Sequence, residues 1–234
     1  MNPLNKQLGR IGKPEGFFGR LMVSAMNSGD QAKLAVWGLF HVPLMGGEKI
    51  LDCGCGGGAN VRRMLQLTEN GKVFGLDFSP VSVEKSRKVN ARAIAAGRCC
   101  IVEGNAAAIP LDDGMFDLVT AFETVYFWQD TEACFREVYR VLKEEGAFLI
   151  VHASSGRKKK AIRRAKIVEG MRLYRGEELE KMLTAAGFSV AVANAWPEVK
   201  EVCARTCLSN QEDGVAKYLA DYFLNKGERH DLCS

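Results

Sequence analysis

From residue 48 onward, short apolar runs alternate with segments whose apolar positions recur every three or four residues. The first run, Ile50 and Leu51, ends at Asp52, and a helix pattern follows over 60–67. A second run over 72–76 ends at Asp77, ahead of a helix pattern over 80–96 that opens on Pro80. Proline suits the first turn of a helix, so the boundary is well marked. Strand patterns then fall at 99–103, 116–122 and 147–152. Helix patterns fall at 131–142 and 177–186, the latter closed by Gly187. Two late runs, 188–193 and 201–206, read as strands, and 215–224 as a short helix.

Strands separated by helices at this spacing predict a parallel sheet with helices on both faces. The expected fold is α/β, a Rossmann-like doubly wound and mostly parallel seven-stranded sheet with an antiparallel closing strand. Upstream, 18–40 reads as helix broken near Asn27 to Asp30, with Ser28 or Asp30 as the cap of its second half. This gives three parts: a helical lid over 1–40, a sheet domain over 41–208 and a tail over 209–234.

Composition narrows the class. Hydrophobic residues make up 47% of the 234 positions and charged residues 26%, which fits one globular α/β domain. The net charge of +4 states no preference for polyanions. No apolar stretch reaches the length of a membrane span, and the polar, glycine-rich start lacks the apolar run of a secretion signal, which points to the cytoplasm. The eight cysteines form no C-x-x-C pair and the three histidines are scattered, so thiols are expected and no metal site.

The chemistry concentrates where a parallel sheet binds ligands, at the carboxyl ends of the strands. Asp52-Cys53-Gly54-Cys55-Gly56-Gly57-Gly58-Ala59 leads from a strand into a helix. Glycines there allow positive φ and close approach of a ligand to backbone. Gly54-x-Gly56-x-x-Ala59 also fits the dinucleotide fingerprint, so the turn alone selects no ligand. Asp52 separates the cases. A carboxylate there repels a pyrophosphate and attracts an ammonium. Asp77 follows about 20 residues beyond the turn, the spacing of an acid that accepts from ribose hydroxyls. It equally suits a helix cap ahead of Pro80.

These motifs resemble those of class I S-adenosylmethionine (SAM)-dependent methyltransferases, in particular the small-molecule branch related to ubiquinone/menaquinone-biosynthesis enzymes. Similarity extends over 48–188. Ile50 to Gly58 is similar to the first motif, Val73 to Ser79 to the second, and Gly104 to Leu111 to the adenine-contacting segment. The resemblance implies SAM as cofactor. It places Asp52 and Gly54 by the methionine moiety, Asp77 on the ribose, and Cys55 and Gly56 among the cofactor-binding residues. Phe78 would lie against adenine, Asn105 and Ala106 on its edge, and Phe122 and Glu123 at the methionine end. Two positions depart from the pattern: Asn105 replaces an aspartate, and Glu144-Glu145-Gly146 replaces a Pro-Gly-Gly turn.

Methyl transfer to a small-molecule acceptor by in-line displacement is the activity implied. It rests on alignment and water exclusion and calls for no metal. Tyr126 and Trp128, after the fourth strand, are candidates for the acceptor side, with Phe17 and Met22 of the lid. Tyr126, His152 and Glu123 are the candidate catalytic groups, each with an ordinary structural role as alternative. The basic run 157–164 has no interleaved aromatics, which disfavours nucleic acid, and a solvated helix face is its plainer reading. A SAM-binding protein without catalysis and an NAD(P)-dependent oxidoreductase are the competing readings.

Overall fold

The computed structural model describes residues 29–42, 44–153, 159–188, 191–192 and 206–207. Five strands form one parallel sheet: β1 (Lys49–Cys53), β2 (Lys72–Asp77), β3 (Cys99–Glu103), β4 (Phe116–Phe122) and β5 (Leu142–Val151), in the order β3-β2-β1-β4-β5. The chain builds outward from β1 through β2 to β3, then crosses to the other side of β1. Strand order therefore reverses between β1 and β4, which opens a crevice at their carboxyl ends.

Along β1, Ile50 and Leu51 point to opposite faces, and both are fully buried. Ile50 joins Val73, Ile101 and Leu118 in one core layer. α2 (Ala59–Leu67) covers that layer with Val61, Met64 and Leu65, spaced to share one helix face. Leu51 joins Leu76, Phe116 and Val119 on the other face, under Val138 and Val141 of α5 (Thr131–Val141). Each such buried aliphatic contributes on the order of 1.5–3 kcal/mol. Asp130 caps α5, its Oδ1 accepting from the Ala133 N–H at 2.9 Å.

The structure departs from the sequence pattern in identifiable places. The helix expected over 80–96 is two, α3 (Pro80–Val89) and α4 (Ala91–Ala95). Asn90 sits at the break. Its Nδ2 donates to Ser86 O at 2.9 Å and to Gly58 O at 3.1 Å, tying the helix to the glycine turn. β5 begins earlier than expected and carries an irregularity. Phe116 pairs with Leu142 but Leu118 with Ala147, so Glu144-Glu145-Gly146 is extra chain within the ladder and not a separate turn.

α1 (Asp30–Phe40) has Gly29 at its N-cap with φ +68° and no side-chain cap, in place of Ser28 or Asp30. The carboxyl-terminal part is reached by α6 (Lys159–Ala165) and α7 (Gly176–Ala185). Beyond α7, β6 (Ala191–Val192) and β7 (Thr206–Cys207) pair with each other in parallel, apart from the main sheet. The described sheet thus has five strands, and the antiparallel closure expected from the two late runs is absent from the described residues. Most of those runs, the 215–224 helix and the lid upstream of Gly29 lie outside the described residues.

Candidate active site

The glycine turn is held by its own backbone. The N–H groups of Gly54 and Cys55 both donate to Leu76 O, at 2.7 and 3.0 Å, and Gly58 donates to Cys55 O at 2.9 Å. Gly56 N–H donates to Asp77 Oδ2 at 2.8 Å. Amides committed in this way do not form the nest that a pyrophosphate needs. Gly54, at φ +83°, is fixed on steric grounds as well, since a Cβ would lie 2.1 Å from Thr124 Oγ1. At Gly56 a Cβ would meet nothing within 4 Å, so the turn is open there.

Asp77 therefore has two structural uses at once, of which only the one at the helix start is expected from sequence. One oxygen braces the turn, while the other accepts from Ser79 N–H at 2.9 Å and orders the start of α3. Burial raises its pKa, and these backbone donors with the Ser82 hydroxyl oppose the rise. Phe78 beside it is 45% exposed, a free aromatic face along the same edge. Asn105 turns its Oδ1 back to Ala107 N–H at 3.0 Å, with Asn105 and Ala108 bridged. Its amide NH₂, the group an aspartate lacks, points to a donor role here.

Asp52 is the most unusual group. It lies opposite Thr120 across the β1–β4 ladder and is 1% exposed. Thr120 donates to its Oδ1 at 2.9 Å, whereas Oδ2 is buried with no hydrogen-bond partner. Burial lifts its pKa to about 7; the Thr120 hydroxyl opposes this, Asp77 adds to it and the Arg63 charge opposes it. A buried carboxylate oxygen without a donor favours a cation or a proton as its missing partner. An ammonium fits that need and a phosphate does not.

A narrow cleft of about 40 Å³ lies between α1, the turn and the end of β4, and Asp52 itself does not line it. Leu34 and Ala35 line one wall, Cys55 and Arg63 another, and Phe122 and Glu123 a third. Arg63 Nη1 donates to Asn60 Oδ1 at 2.7 Å. Gly38 lets α1 approach so closely that a Cβ there would lie 2.5 Å from Val151. The structure thus brings Cys55, Phe122 and Glu123 to one cleft, with Asp52 and Asp77 on neighbouring strands.

The β4–β5 side is organised differently. Glu123 has φ +57°, a strained conformation for a side chain of its size. Its carboxylate accepts from Tyr126 OH at 3.1 Å and from Ala153 N–H. The Tyr126 ring, 2% exposed, stacks on His152 at 4.2 Å and 29°. His152 Nε2 is buried without a hydrogen-bond partner, and burial pushes its pKa down to about 4. At neutral pH it is an uncharged imidazole, a weak base for any proton transfer.

Trp128 does not reach the cleft. It lies parallel to Phe148, with ring centres 6.4 Å apart, and edge-on to Phe135, because the 3₁₀ turn Val125–Phe127 swings it beneath the sheet into an aromatic core. Phe17 and Met22 lie outside the described residues. Sequence reading also passed over Thr120, Thr124, Arg63 and Asn90. Each acts across the chain on the turn or on Asp52, and no local motif marks such residues.

Residues 51–150 match the family described as "Methyltransferase domain", and 180–219 match "haloacid dehalogenase-like hydrolase", a stretch largely outside the described residues. Cycloartenol-C-24-methyltransferase 1 of Oryza sativa subsp. japonica is 32% identical over 104 residues, covering 44% of this chain and 30% of the relative. The chloroplastic 2-methyl-6-phytyl-1,4-hydroquinone methyltransferase 1 of the same organism is 31% identical, covering 45% of this chain and 31% of the relative. The match thus spans less than a third of each relative's own length. A structure of a methyltransferase-like protein from Bacillus halodurans superposes with TM-score 0.56 at 26% identity, over 68% of both chains. The [4+2]-cyclase SpnF superposes with TM-score 0.57 at 25% identity, over 67% of this chain and 57% of its own.

Proposed function

We propose, from the premise that the chain belongs through residues 51–150 to the class I SAM-dependent methyltransferases, that it moves a methyl group onto a small, largely apolar acceptor. The observation that carries the cofactor half is Asp52. Its unpartnered buried oxygen answers the ammonium of the methionine end, directly or through one water. Arg63, on the cleft wall, answers the carboxylate of the same moiety. Asp77 keeps lone pairs for a ribose hydroxyl after serving Gly56 and Ser79, and Phe78 and Asn105 offer a face and a donor to adenine.

Bound SAM supplies a methyl group on a positively charged sulfur, open to attack in line with the departing sulfur. The chain's own task is alignment. α1 walls the cleft with Gln31, Ala32, Leu34 and Ala35, which narrows the access of water, and this supports its role as part of a lid. Glu123 is held by Tyr126 and Ala153 at the edge of the same cleft. The described relatives act on sterols and on a phytyl hydroquinone, which supports an apolar, ring-bearing acceptor. Rate enhancement then comes from proximity rather than from a base, consistent with a His152 kept neutral and weakly basic.

The test is isothermal titration with SAM and with NAD, followed by turnover with sterol, quinol and amine acceptors read as S-adenosylhomocysteine. Binding of SAM and not NAD, with turnover on one apolar class, is the expected result. NAD binding without SAM binding removes the reading. A second reading, a SAM-binding protein that transfers no methyl, is favoured by one observation: SpnF, a cyclase, shares the fold at comparable similarity. Tight SAM binding with no turnover on any acceptor would select it.

A further inference from the structure

Between Arg157 and Ile167 the sequence holds seven basic residues and no acid, more positive charge than the whole chain's net +4. Lys159, Arg163 and Lys166 are exposed. So are two isoleucines among them, Ile162 at 41% and Ile167 at 46%. An aliphatic pair left in water between cations is not what a merely solvated helix face calls for. Nucleic acid uses the cations but has no use for the isoleucines, and no aromatic is present between them to stack on bases. A negatively charged bilayer uses both, since headgroups take the cations and the acyl boundary takes the aliphatic side chains.

The segment is fastened to the rest of the molecule just beyond these residues. Val168 is buried, and Arg172 N–H donates to Tyr126 O at 2.7 Å. Tyr174, also buried, bonds through its hydroxyl to Thr131 Oγ1 at 2.7 Å. Tyr126 is the residue that stacks on His152 and donates to Glu123, so the segment is strapped to the acceptor side of the cleft. An open groove continues the surface, floored by Ile162, Ala165, Met171 and Leu173 and edged by Lys166 and Arg175. The acid at its rim, Glu178, turns an oxygen onto Arg175 N–H at 2.7 Å. The exposed Glu169 is the only acid between the basic run and Arg175.

We propose that residues 159–171 form a docking face for an anionic phospholipid bilayer, which holds the acceptor side of the cleft against the membrane. That this brings the acceptor to the site rests on the methyl-transfer reading; the docking itself does not.

The test is co-sedimentation of the full chain with vesicles of phosphatidylcholine alone and of phosphatidylcholine with phosphatidylglycerol, at about 0.1 M salt where the surface field still reaches the cations. One variant carries Lys159→Gln, Arg163→Gln and Lys166→Gln; another carries Ile162→Ser and Ile167→Ser. SAM titration of each variant verifies that it is folded. The wild type is expected to sediment with anionic vesicles only. The neutralised variant should bind roughly a hundredfold more weakly, since each cation near the surface contributes about fivefold. The serine variant should lose at least tenfold.

Three results overturn the proposal: a wild type that stays in solution with anionic vesicles, vesicle binding that neither variant alters, or a gel shift with RNA that the neutralised variant loses while the serine variant and vesicle binding are unaffected. A variant set that behaves as expected on vesicles, in a protein that shows no SAM turnover, keeps the docking face and removes the acceptor reading.

Discussion

The two halves of the cleft solve the same problem by opposite means. On the β1–β2 side, backbone does the positioning: the turn's amides bond to Leu76, Cys55 and Asp77, and the side chains serve mainly to brace it. On the β4–β5 side, side chains do it: Glu123 holds Tyr126, and Tyr126 lies on His152. A backbone-built site needs particular residues at fixed spacing and tolerates little change. A site built from side-chain stacking tolerates substitution, and that is where specificity can vary without disturbing the cofactor.

The sharpest way to break this contrast is Gly54→Ala. With φ +83° and Thr124 Oγ1 in the way, it should cost about 3–5 kcal/mol and abolish SAM binding, read by urea unfolding and calorimetry. Gly56→Ala, in open space, should cost only about 1–2 kcal/mol. Equal effects would mean that the turn is not sterically fixed at Gly54.

Asp52→Asn comes next and separates stability from function. The folded pKa of Asp52, about 7, lies above its unfolded value, so the folded state holds the extra proton and loses stability as pH rises from about 4 towards 7. Removing the charge should shift the balance in the variant's favour by about 2–3 kcal/mol between pH 5 and pH 8, measured by chemical denaturation at both. The same variant should bind SAM at least tenfold more weakly at pH 8. In the wild type, SAM affinity should fall as pH drops below 7, because the carboxylate must give up its proton to meet an ammonium.

His152 has the opposite sign. Its folded pKa, about 4, lies below the unfolded value, so the protein loses stability as pH falls from about 6.5 towards 4. His152→Gln should remove about 2 kcal/mol of that loss between pH 6.5 and pH 5, followed by thermal melts across the range. An unchanged acid profile would show that the ring is not the buried neutral group described. The smallest effect is expected from Tyr126→Phe, about 1 kcal/mol in stability for the lost bond to Glu123, with SAM affinity unchanged and the acceptor KM raised. A loss of SAM affinity instead would merge the two halves of the site into one.

What could be read from sequence follows the same divide. β1 to β4 and the helices between them announce themselves because apolar period and turn residues are local signals, and the glycine turn because only glycine serves there. Asp52 was legible as a charge at a strand end, but its unpartnered oxygen was not, since that depends on Thr120 of the adjoining strand, which is remote in sequence. The packing of Trp128 in an aromatic core was illegible for a similar reason. An aromatic after a strand suits a pocket or a core equally, and three residues of 3₁₀ turn decide between them. The break at Asn90 was invisible because its hydrogen-bond partner Gly58 lies on another element.

The irregular stretch in β5 has a practical consequence. Glu144 and Glu145 are exposed, belong to the amino-terminal half of β5 and sit at the end of the sheet opposite the cleft. Extra chain is already accommodated there without loss of the flanking pairs. A fluorophore, an affinity handle or an inserted peptide placed between them would leave the cleft unobstructed, which makes this bulge the natural attachment point for tethering the protein to a surface with its open end facing outward.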